Sequence, residues 1–519
     1  MAASISNRAG RREWLGLAVI ALPCVLYSMD LTVLNLAVPR LSADLKPTAA
    51  QLLWIVDIYG FLVAGSLITM GTLGDRIGRR RLLMIGAAAF GVASVIAAFS
   101  TSAAMLIAMR ALLGLAGATL APSTLSLIRN MFLDPQERTT AIGIWVTGYS
   151  VGAAIGPLLG GIVLQYFWWG SVFLIGVPVM LLLLALGPLL LPEFRDPNAG
   201  RLDLLSAALS MAAVLSVIYG LKRMAEDGLH TLPVAAVIAG AVIGIAFVRR
   251  QLGLAHPLID LRLFRSPAFT GSLVLYMIGT FVVFGAYIFI AQYLQLVLGL
   301  SPLKAGLWMV PSVAAFMLGS ALVPMIVRRV RPPYVIGAGL IVAAVGFAIL
   351  TQVDGAAGLR VLVAGSVIYS FGTSPVVILA TDLIVGCAPV ERAGVASAMS
   401  ETSSELGGAL GIAILGSIGT AVYRGAMASA VPAGVSSADA AVAKATLGGA
   451  VSVAAGLPDS LRAALLETSR GAFAHAFEMA AGICAAVSVA TAVVALVMLR
   501  RVPTAASPAS APLETEGAA

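Results

Sequence analysis

The chain has 519 residues, of which 60% are hydrophobic and only 11% are charged. An average soluble domain carries about 25% charged residues, so this composition excludes an ordinary soluble enzyme. The mean hydropathy of +1.00 indicates a membrane protein instead. Because one spanning helix takes about 20 apolar residues, a dozen or more spans with short loops occupy nearly the whole chain and leave no room for a separate soluble domain.

The net charge of +8 reflects 32 Lys and Arg residues against 24 Asp and Glu residues. The basic residues lie mostly in short loops between apolar runs, which is typical of membrane topology and not of a nucleic-acid-binding face. Cys24, Cys387 and Cys484 are far apart, and the three histidines are equally scattered. We therefore expect no disulfide framework, no metal centre, no cofactor and no nucleic-acid partner.

Hydropathy and loop composition divide the chain into six spans, two further spans and a final six. Residues 1–13 form a basic tail, and the apolar run that follows lacks a small-residue cleavage site, so we expect a retained first span. The predicted units are an N-terminal bundle (14–191), a linker with two extra spans (192–267) and a C-terminal bundle (268–500). The spans are predicted at 14–37, 52–71, 82–99, 104–122, 140–165, 170–191, 204–221, 232–248, 268–297, 303–325, 334–352, 360–381, 393–418 and 473–499.

Three segments depart from a plain series of spans. Segment 268–297 is long for one crossing, which predicts a tilted helix or one that extends beyond the membrane. Residues 423–470 form one long loop rich in Ala, Gly and Ser, within which 460–469 favour a short surface helix. The Ala-, Pro- and Ser-rich tail 501–519 is predicted to be disordered.

The distribution of basic residues predicts the orientation. With this division, 21 of the 32 Lys and Arg residues lie on the side of both termini, 10 lie on the other side, and Arg110 lies within a span. Because positively charged loops stay in the cytoplasm, both termini are predicted to be cytoplasmic in a multi-pass protein of the cell membrane.

The loop after the second span reads Gly-Thr-Leu-Gly-Asp-Arg-Ile-Gly-Arg-Arg-Arg over residues 71–81. Glycines permit a tight turn where helices approach closely, while Asp and Arg interact with neighbouring helix ends. A generic basic loop would be a plain topological turn, but the whole pattern resembles the signature loop of the major facilitator superfamily. We therefore interpret it as a conformational latch, formed by Gly71, Asp75, Arg76, Gly78, Arg79 and Arg80.

Two further motifs extend this resemblance. In the fourth span, Arg110 follows Leu106 and precedes Leu113-Gly114, which is similar to the buried-arginine motif of the superfamily, although Leu113 stands where a glutamine is common. A charge at this depth requires an interior partner or water. In the fifth span, small residues and a proline resemble the antiporter motif, with plain small-residue packing as the alternative. This motif comprises Gly152, Gly156, Pro157, Gly160 and Gly161.

The first two spans indicate one particular family within this superfamily. Residues 29–39 and 53–59 resemble the fourteen-span drug:proton antiporters of the QacA and LfrA type, and so do 257–264, 300–306 and 405–411. The resemblance covers residues 14–500. It implies an all-α membrane protein of the major facilitator fold, in which two six-helix bundles and two linker helices give fourteen transmembrane helices.

Acidic residues inside the spans are the candidates for coupling protons to substrate. A carboxyl group in the membrane interior is costly to ionise, so its protonation responds to nearby charge. Glu401 and Glu405 are four residues apart, share one helix face and repel each other when both are ionised. Asp30 and Asp57 complete the set, with Asp57 either a coupling acid or an anchor near the outer end of its span. Asp382 and Glu478 are expected to be solvated acids at span ends.

Aromatic residues of several spans are candidates for a pocket that holds flat lipophilic cations, because the face of an aromatic ring attracts a cation. For each residue taken individually, ordinary packing or an interfacial belt is the favoured interpretation. The candidates are Tyr59, Tyr149, Tyr287 and Phe316.

The family resemblance implies proton-coupled export of lipophilic cations such as quaternary ammonium compounds, dyes and antiseptics, by alternating access in a monomer. Export of a dedicated endogenous metabolite or lipid precursor on the same fold is the alternative. A membrane enzyme is disfavoured, because the sequence contains no nucleophile–base constellation, metal cluster or catalytic domain.

Overall fold

The computed structural model describes residues 8–196, 203–227, 230–254, 257–353, 358–500 and 502, apart from some side chains within the helices. Its described residues form helices and connecting turns, without a β-strand. The predicted tail 501–519 therefore lies almost wholly outside the described residues, as does the side chain of Pro157.

The N-terminal bundle contains seven helical segments that form six spans. The sixth span consists of two segments, α6 and α7, which are separated only at Ile175. In chain order the segments are α1 (Arg11–Leu45), α2 (Ala49–Ile77), α3 (Arg79–Ala98), α4 (Ala103–Met131), α5 (Pro135–Tyr166), α6 (Ser171–Leu174) and α7 (Gly176–Leu190).

The linker forms a helical hairpin, and the C-terminal bundle follows it. The hairpin consists of α8 (Leu204–Asp227) and α9 (Thr231–Gly253). A turn of π-helix, Tyr293–Val297, continues α10, so the predicted long ninth span is one extended helical segment. The remaining helices are α10 (Pro267–Gln292), α11 (Pro302–Ile326), α12 (Pro332–Leu350), α13 (Gly358–Cys387), α14 (Ala393–Met427), α15 (Ser437–Ala445), α16 (Leu447–Ala454) and α17 (Asp459–Met498).

Local sequence explains where several helices begin. The Thr48 hydroxyl accepts a hydrogen bond from the Gln51 amide, and the Gln51 side chain caps Thr48 in return. Asp134 and Ser266 cap α5 and α10 in a similar way, each followed by a proline in the first turn. Such caps satisfy amides that the helix leaves unpaired. Gly78, at φ +109°, lets α2 turn directly into α3.

Thirteen helical segments of the described chain are long and apolar enough to cross a membrane. The thirteen do not include α5, which is 32 residues long and packs along α1 inside the N-terminal bundle. With α5, the described helices supply the six, two and six spans of the predicted fold.

Both bundles use the same pattern of helix pairs. Helix α1 packs on α5 and α2 on α4, and in the C-terminal bundle α10 packs on α14 and α11 on α13. Between the bundles, α2 meets α14 and α5 meets α11. Helix α8 lies against both α2 and α14, so the linker hairpin covers one of the two seams between the bundles.

The predicted long loop folds as a helical cap on the C-terminal bundle. The Tyr423 hydroxyl donates to the Ala443 carbonyl at 2.9 Å, and Arg470 donates to the Leu296 carbonyl at 3.2 Å. Helix α17 begins at Asp459, so residues 460–469 are the first turns of the last span and do not form a separate helix.

Candidate functional site

The predicted latch joins the two bundles at the seam between α2 and α14. Asp75 accepts hydrogen bonds from the Gly394 and Val395 amides, at 3.0 and 3.1 Å, at the start of α14. Arg79 forms an ion pair with Asp75 at 2.7 Å and donates to the Val390 carbonyl at 2.7 Å. Because both side chains are buried, each stabilises the charge of the other while it binds the opposite bundle.

Glycines allow this close contact. A Cβ at Gly71 would lie 2.5 Å from the Gly394 carbonyl oxygen, so a larger residue would push α2 away from α14. Of the other two predicted latch arginines, Arg80 forms hydrogen bonds within the N-terminal bundle. Arg80 donates to the Pro188 and Leu191 carbonyls, whereas Arg76 is partly buried and its Nη1 has no hydrogen-bond partner among the described residues.

A second contact joins the bundles on the same arginine-rich side, between α5 and α13. Arg138 pairs with Asp382 at 2.6 Å, and the Thr139 hydroxyl donates to the other Asp382 oxygen at 2.7 Å. The expectation of a solvated Asp382 is wrong, because the ion pair allows the carboxylate to be buried. Together the two contacts hold the bundles together on this side.

Glu401 and Glu405 lie on α14, in the interior between the bundles. The Tyr27 hydroxyl on α1 donates to Glu405 Oε1 at 3.0 Å. Glu401 Oε1 is buried, and among the described residues it has no hydrogen-bond partner. Within the part of the chain that the structure describes, no Lys or Arg forms an ion pair with either glutamate.

Aromatic rings surround this glutamate pair on the side of the N-terminal bundle. Tyr27 packs edge-to-face on Tyr149, with ring centroids 5.6 Å apart, and lies 6.1 Å from Tyr59. Trp145 packs on Tyr149 at 4.9 Å, and its indole N–H donates to Thr124. We call Tyr27, Tyr59, Tyr149, Glu401 and Glu405 the central cluster.

Asp30 and Arg110 lie directly beside the central cluster. Arg110 forms an ion pair with Asp30 at 2.5 Å, donates to the Ile55 carbonyl at 3.1 Å and lies over the Tyr59 ring at 4.6 Å. The predicted buried arginine therefore has the interior partner that its depth requires. A small cavity of about 20 Å³ adjoins Asp30 and Ser94, enough for about one water molecule.

Asp57 lies apart from the glutamate pair and binds the linker. Its buried carboxylate forms an ion pair with Lys222 of α8, and the Lys222 ammonium lies 5.5 Å from the centre of the Phe61 ring. This contact fastens the linker hairpin to α2.

The glycines of the predicted antiporter motif bring α5 against α1. A Cβ at Gly152 would lie 2.1 Å from the Val25 carbonyl oxygen, and one at Gly160 would lie 2.7 Å from Val33 Cγ1. Gly156 is buried, whereas a Cβ at Gly161 would meet nothing within 4 Å. The two helices can approach this closely only because these side chains are absent.

Two of the predicted aromatics lie elsewhere. Tyr287 is 46% exposed and lines a groove of about 400 Å³ on the C-terminal bundle, together with Phe284. Phe316 on α11 is partly buried against the main hydrophobic core. Sequence reasoning missed Tyr27, although its position three residues before Asp30 on one helix was an available signal. It also missed Lys222, whose partner is distant in the sequence.

The paired bundles and the buried ion pairs at their seam are typical of a multi-pass membrane transporter. The family model described as Major Facilitator Superfamily matches residues 20–412. The chain belongs to the major facilitator superfamily, and its fold is the one predicted from the sequence.

Similar proteins support this assignment. Multidrug efflux pump LfrA of Mycolicibacterium smegmatis is 43% identical over 96% of this chain and 98% of its own length. Methyl viologen resistance protein SmvA of Salmonella typhimurium is 36% identical, covering 89% of this chain and 93% of that protein. The tetracenomycin C resistance and export protein of Streptomyces glaucescens is 31% identical, covering 97% of this chain and 94% of that protein.

Solved transporters share the fold at low sequence identity. A bacterial homologue of the human lysosomal transporter Spinster, in an inward-facing conformation, gives a TM-score of 0.56 at 18% identity and covers 95% of this chain and 99% of its own. The human organic anion transporter MFSD10 gives a TM-score of 0.56 at 15% identity and covers 78% of this chain and 93% of its own. Membership of this transporter family agrees with the prediction that the protein is not an enzyme.

Proposed function

We propose that this protein is a proton-coupled exporter of lipophilic cationic drugs, including quaternary ammonium compounds, dyes and antiseptics. The observation that carries the proposal is the central cluster, in which two glutamates without a cationic partner among the described residues face three tyrosines. Its relatives named as a multidrug efflux pump and as resistance and export proteins support export of drugs.

The central cluster has the chemistry that a lipophilic cation requires. Tyrosine faces attract a cation by about 0.5–2 kcal/mol each, and more when water is excluded. An ionised carboxylate compensates the positive charge that a drug brings into the membrane interior. Tyr149 serves here as a ring face, whereas the Tyr59 ring already holds the Arg110 guanidinium. Glu405 and Glu401 supply the charge.

The same carboxylates provide a mechanism for proton coupling. A glutamate that is protonated when the site is empty must release its proton to pair with a cation, and it takes up a proton again when the cation leaves. Asp30, which lies beside the cluster in its pair with Arg110, is a second coupling acid. Inward-moving protons can drive export, since each elementary charge crossing 100 mV yields about 2.3 kcal/mol.

Alternating access follows if the contacts at the seam open and close in each cycle. The Asp75–Arg79 latch and the Arg138–Asp382 pair hold the arginine-rich side closed. We assign this side, with both termini, to the cytoplasm because positively charged loops remain there. Rocking of the two bundles then exposes the central cluster to one side at a time in a monomer.

The test is ethidium efflux from vesicles that contain the purified protein, with and without an imposed pH gradient. We expect gradient-driven export in the wild type and its loss in Asp30→Asn and in Glu401→Gln. The matched control is Glu478→Gln, since Glu478 lies on α17 beside His475 and outside the central cluster. Full activity in both Asp30→Asn and Glu401→Gln would contradict the coupling role.

Export of a dedicated metabolite would give a different result. A strain that lacks the gene would then retain ethidium no better than its parent, while one endogenous compound would fall in the medium and accumulate inside. If the strain that lacks the gene retains more ethidium than its parent, while no endogenous compound changes, the result supports drug export.

A further inference from the structure

A groove of about 470 Å³ lies between the linker hairpin and the seam of α2 with α14. Its volume is within the range of about 300–1,000 Å³ typical of small-molecule sites. The accessible wall is apolar, and four helices contribute to it. We call it the linker groove and define it by Ile68, Val214, Ala241, Gly244, Ile245 and Leu406.

One residue with a charged side chain, Arg249, borders the linker groove, to which it contributes apolar surface only. It lies near the end of α9 on the arginine-rich side, is exposed, and forms no ion pair within the described part of the chain. The next residue differs, because Arg250 is bound to Asp203 at 2.8 Å. Arg249 is thus an available cation beside an apolar groove.

We propose that the linker groove binds one anionic phospholipid, with an acyl chain against its apolar wall and the phosphate on Arg249. The lipid comes from the leaflet on the arginine-rich side, because Ser210 near the start of α8 and Arg249 near the end of α9 lie towards that side. Basic pockets between transmembrane helices are known to bind acidic headgroups.

Charge distinguishes this occupant from a transported drug. Arg249 attracts a phosphate and repels a lipophilic cation, so the linker groove and the central cluster select ligands of opposite charge. The binding site does not depend on the proposed transport function, since it rests on the groove and on Arg249 alone.

The position of the lipid gives it access to the transport machinery. Thr402 and Leu406 line the groove from α14, and each is the next residue after a glutamate of the central cluster. A bound lipid therefore contacts the back of the helix that carries Glu401 and Glu405.

The test is native mass spectrometry of the purified full-length protein with added phosphatidylglycerol or phosphatidylcholine. We expect one phosphatidylglycerol per chain to be retained in preference to phosphatidylcholine. Arg249→Gln should weaken this binding about fivefold, equivalent to about 1 kcal/mol for one basic residue at a membrane surface. Arg328→Gln, which removes an exposed arginine of the C-terminal bundle on the same side, is the control and should bind like the wild type.

A second variant tests the apolar part of the site. A Cβ at Gly244 would meet only Ala213 Cβ, at 3.8 Å, which is ordinary van der Waals contact, so we use Gly244→Leu to place a side chain in the groove. We expect it to lose the retained lipid while elution as a single symmetric peak in size-exclusion chromatography shows that the protein is folded. Equal retention of the two lipids, undiminished binding in Arg249→Gln, or displacement of the lipid by ethidium would overturn the proposal.

Discussion

The ion pair between Asp57 and Lys222 separates two roles for Asp57, that of a coupling acid and that of an anchor for the linker. The Asp57 side chain is 6% exposed, whereas the Lys222 side chain is 38% exposed. We predict that Asp57 is an anchor, so that single substitutions loosen α8 while gradient-driven export persists.

The difference in exposure determines how much free energy each substitution is expected to cost. Lys222→Met leaves a buried carboxylate without its partner, which costs about 3–5 kcal/mol when both groups are fully buried. Water near the exposed lysine reduces this cost, and we expect about 2 kcal/mol. Asp57→Asn leaves a lysine that reaches solvent and should cost under about 1 kcal/mol. The double variant should resemble Asp57→Asn, so the coupling energy equals the cost of Lys222→Met, about 2 kcal/mol.

Hydrogen exchange of the α8 amides measures this loosening directly. A loss of about 2 kcal/mol raises local opening about 30-fold, since about 1.4 kcal/mol corresponds to a factor of ten. Exchange in α12, which lies in the other bundle, serves as the internal control. The reasoning fails if Asp57→Asn abolishes gradient-driven ethidium efflux while α8 exchange stays at the wild-type rate, because that result identifies Asp57 as a coupling acid.

Three further predictions concern the latch, the helix contact and the substrate. Asp75→Asn removes the charge that binds the Gly394 amide and should slow vesicle efflux in a protein that still inserts; wild-type rates at equal expression would refute the latch. Gly152→Ala places a methyl group against the Val25 carbonyl, so export should lose its dependence on the pH gradient. Gly161→Ala adds a methyl group where nothing lies within 4 Å and should keep that dependence. Equal gradient dependence in both variants would contradict the close-packing argument. Because α11 contains no acid, ethidium should be exported faster than the rigid dication methyl viologen, and equal rates would refute this preference.

The fold could be predicted from the sequence because its determinants are local. Apolar runs of sufficient length specify helices that cross a membrane, and short basic loops order them. The latch was also recognisable, since Gly71 to Arg81 are contiguous. Its binding partners were not, because Asp75 binds the backbone amides of Gly394 and Val395, and amides carry no residue-specific signal.

The partners of the acidic residues required the structure for the same reason. Asp382 looked like a solvated acid at a span end, yet the nearby Arg138 belongs to the other bundle and buries it. Lys222 follows directly after the predicted span 204–221, and only the packing of α8 on α2 brings it to Asp57. These contacts join residues more than 160 positions apart, a distance over which hydropathy and spacing carry no information.

Sorting the buried acids by their partners indicates where transport chemistry is supported best. An ionised carboxylate in an apolar interior is tolerated when a cation compensates it. Within the part of the chain that the structure describes, four buried acids have such a protein cation, namely Asp30, Asp57, Asp75 and Asp382. Glu405 has a tyrosine hydroxyl, and Glu401 Oε1 has no hydrogen-bond partner within the described chain. We therefore predict that the positive charge that balances these two glutamates is a proton or a cationic substrate, and competition between the two for one site is the physical basis of the exchange that we propose.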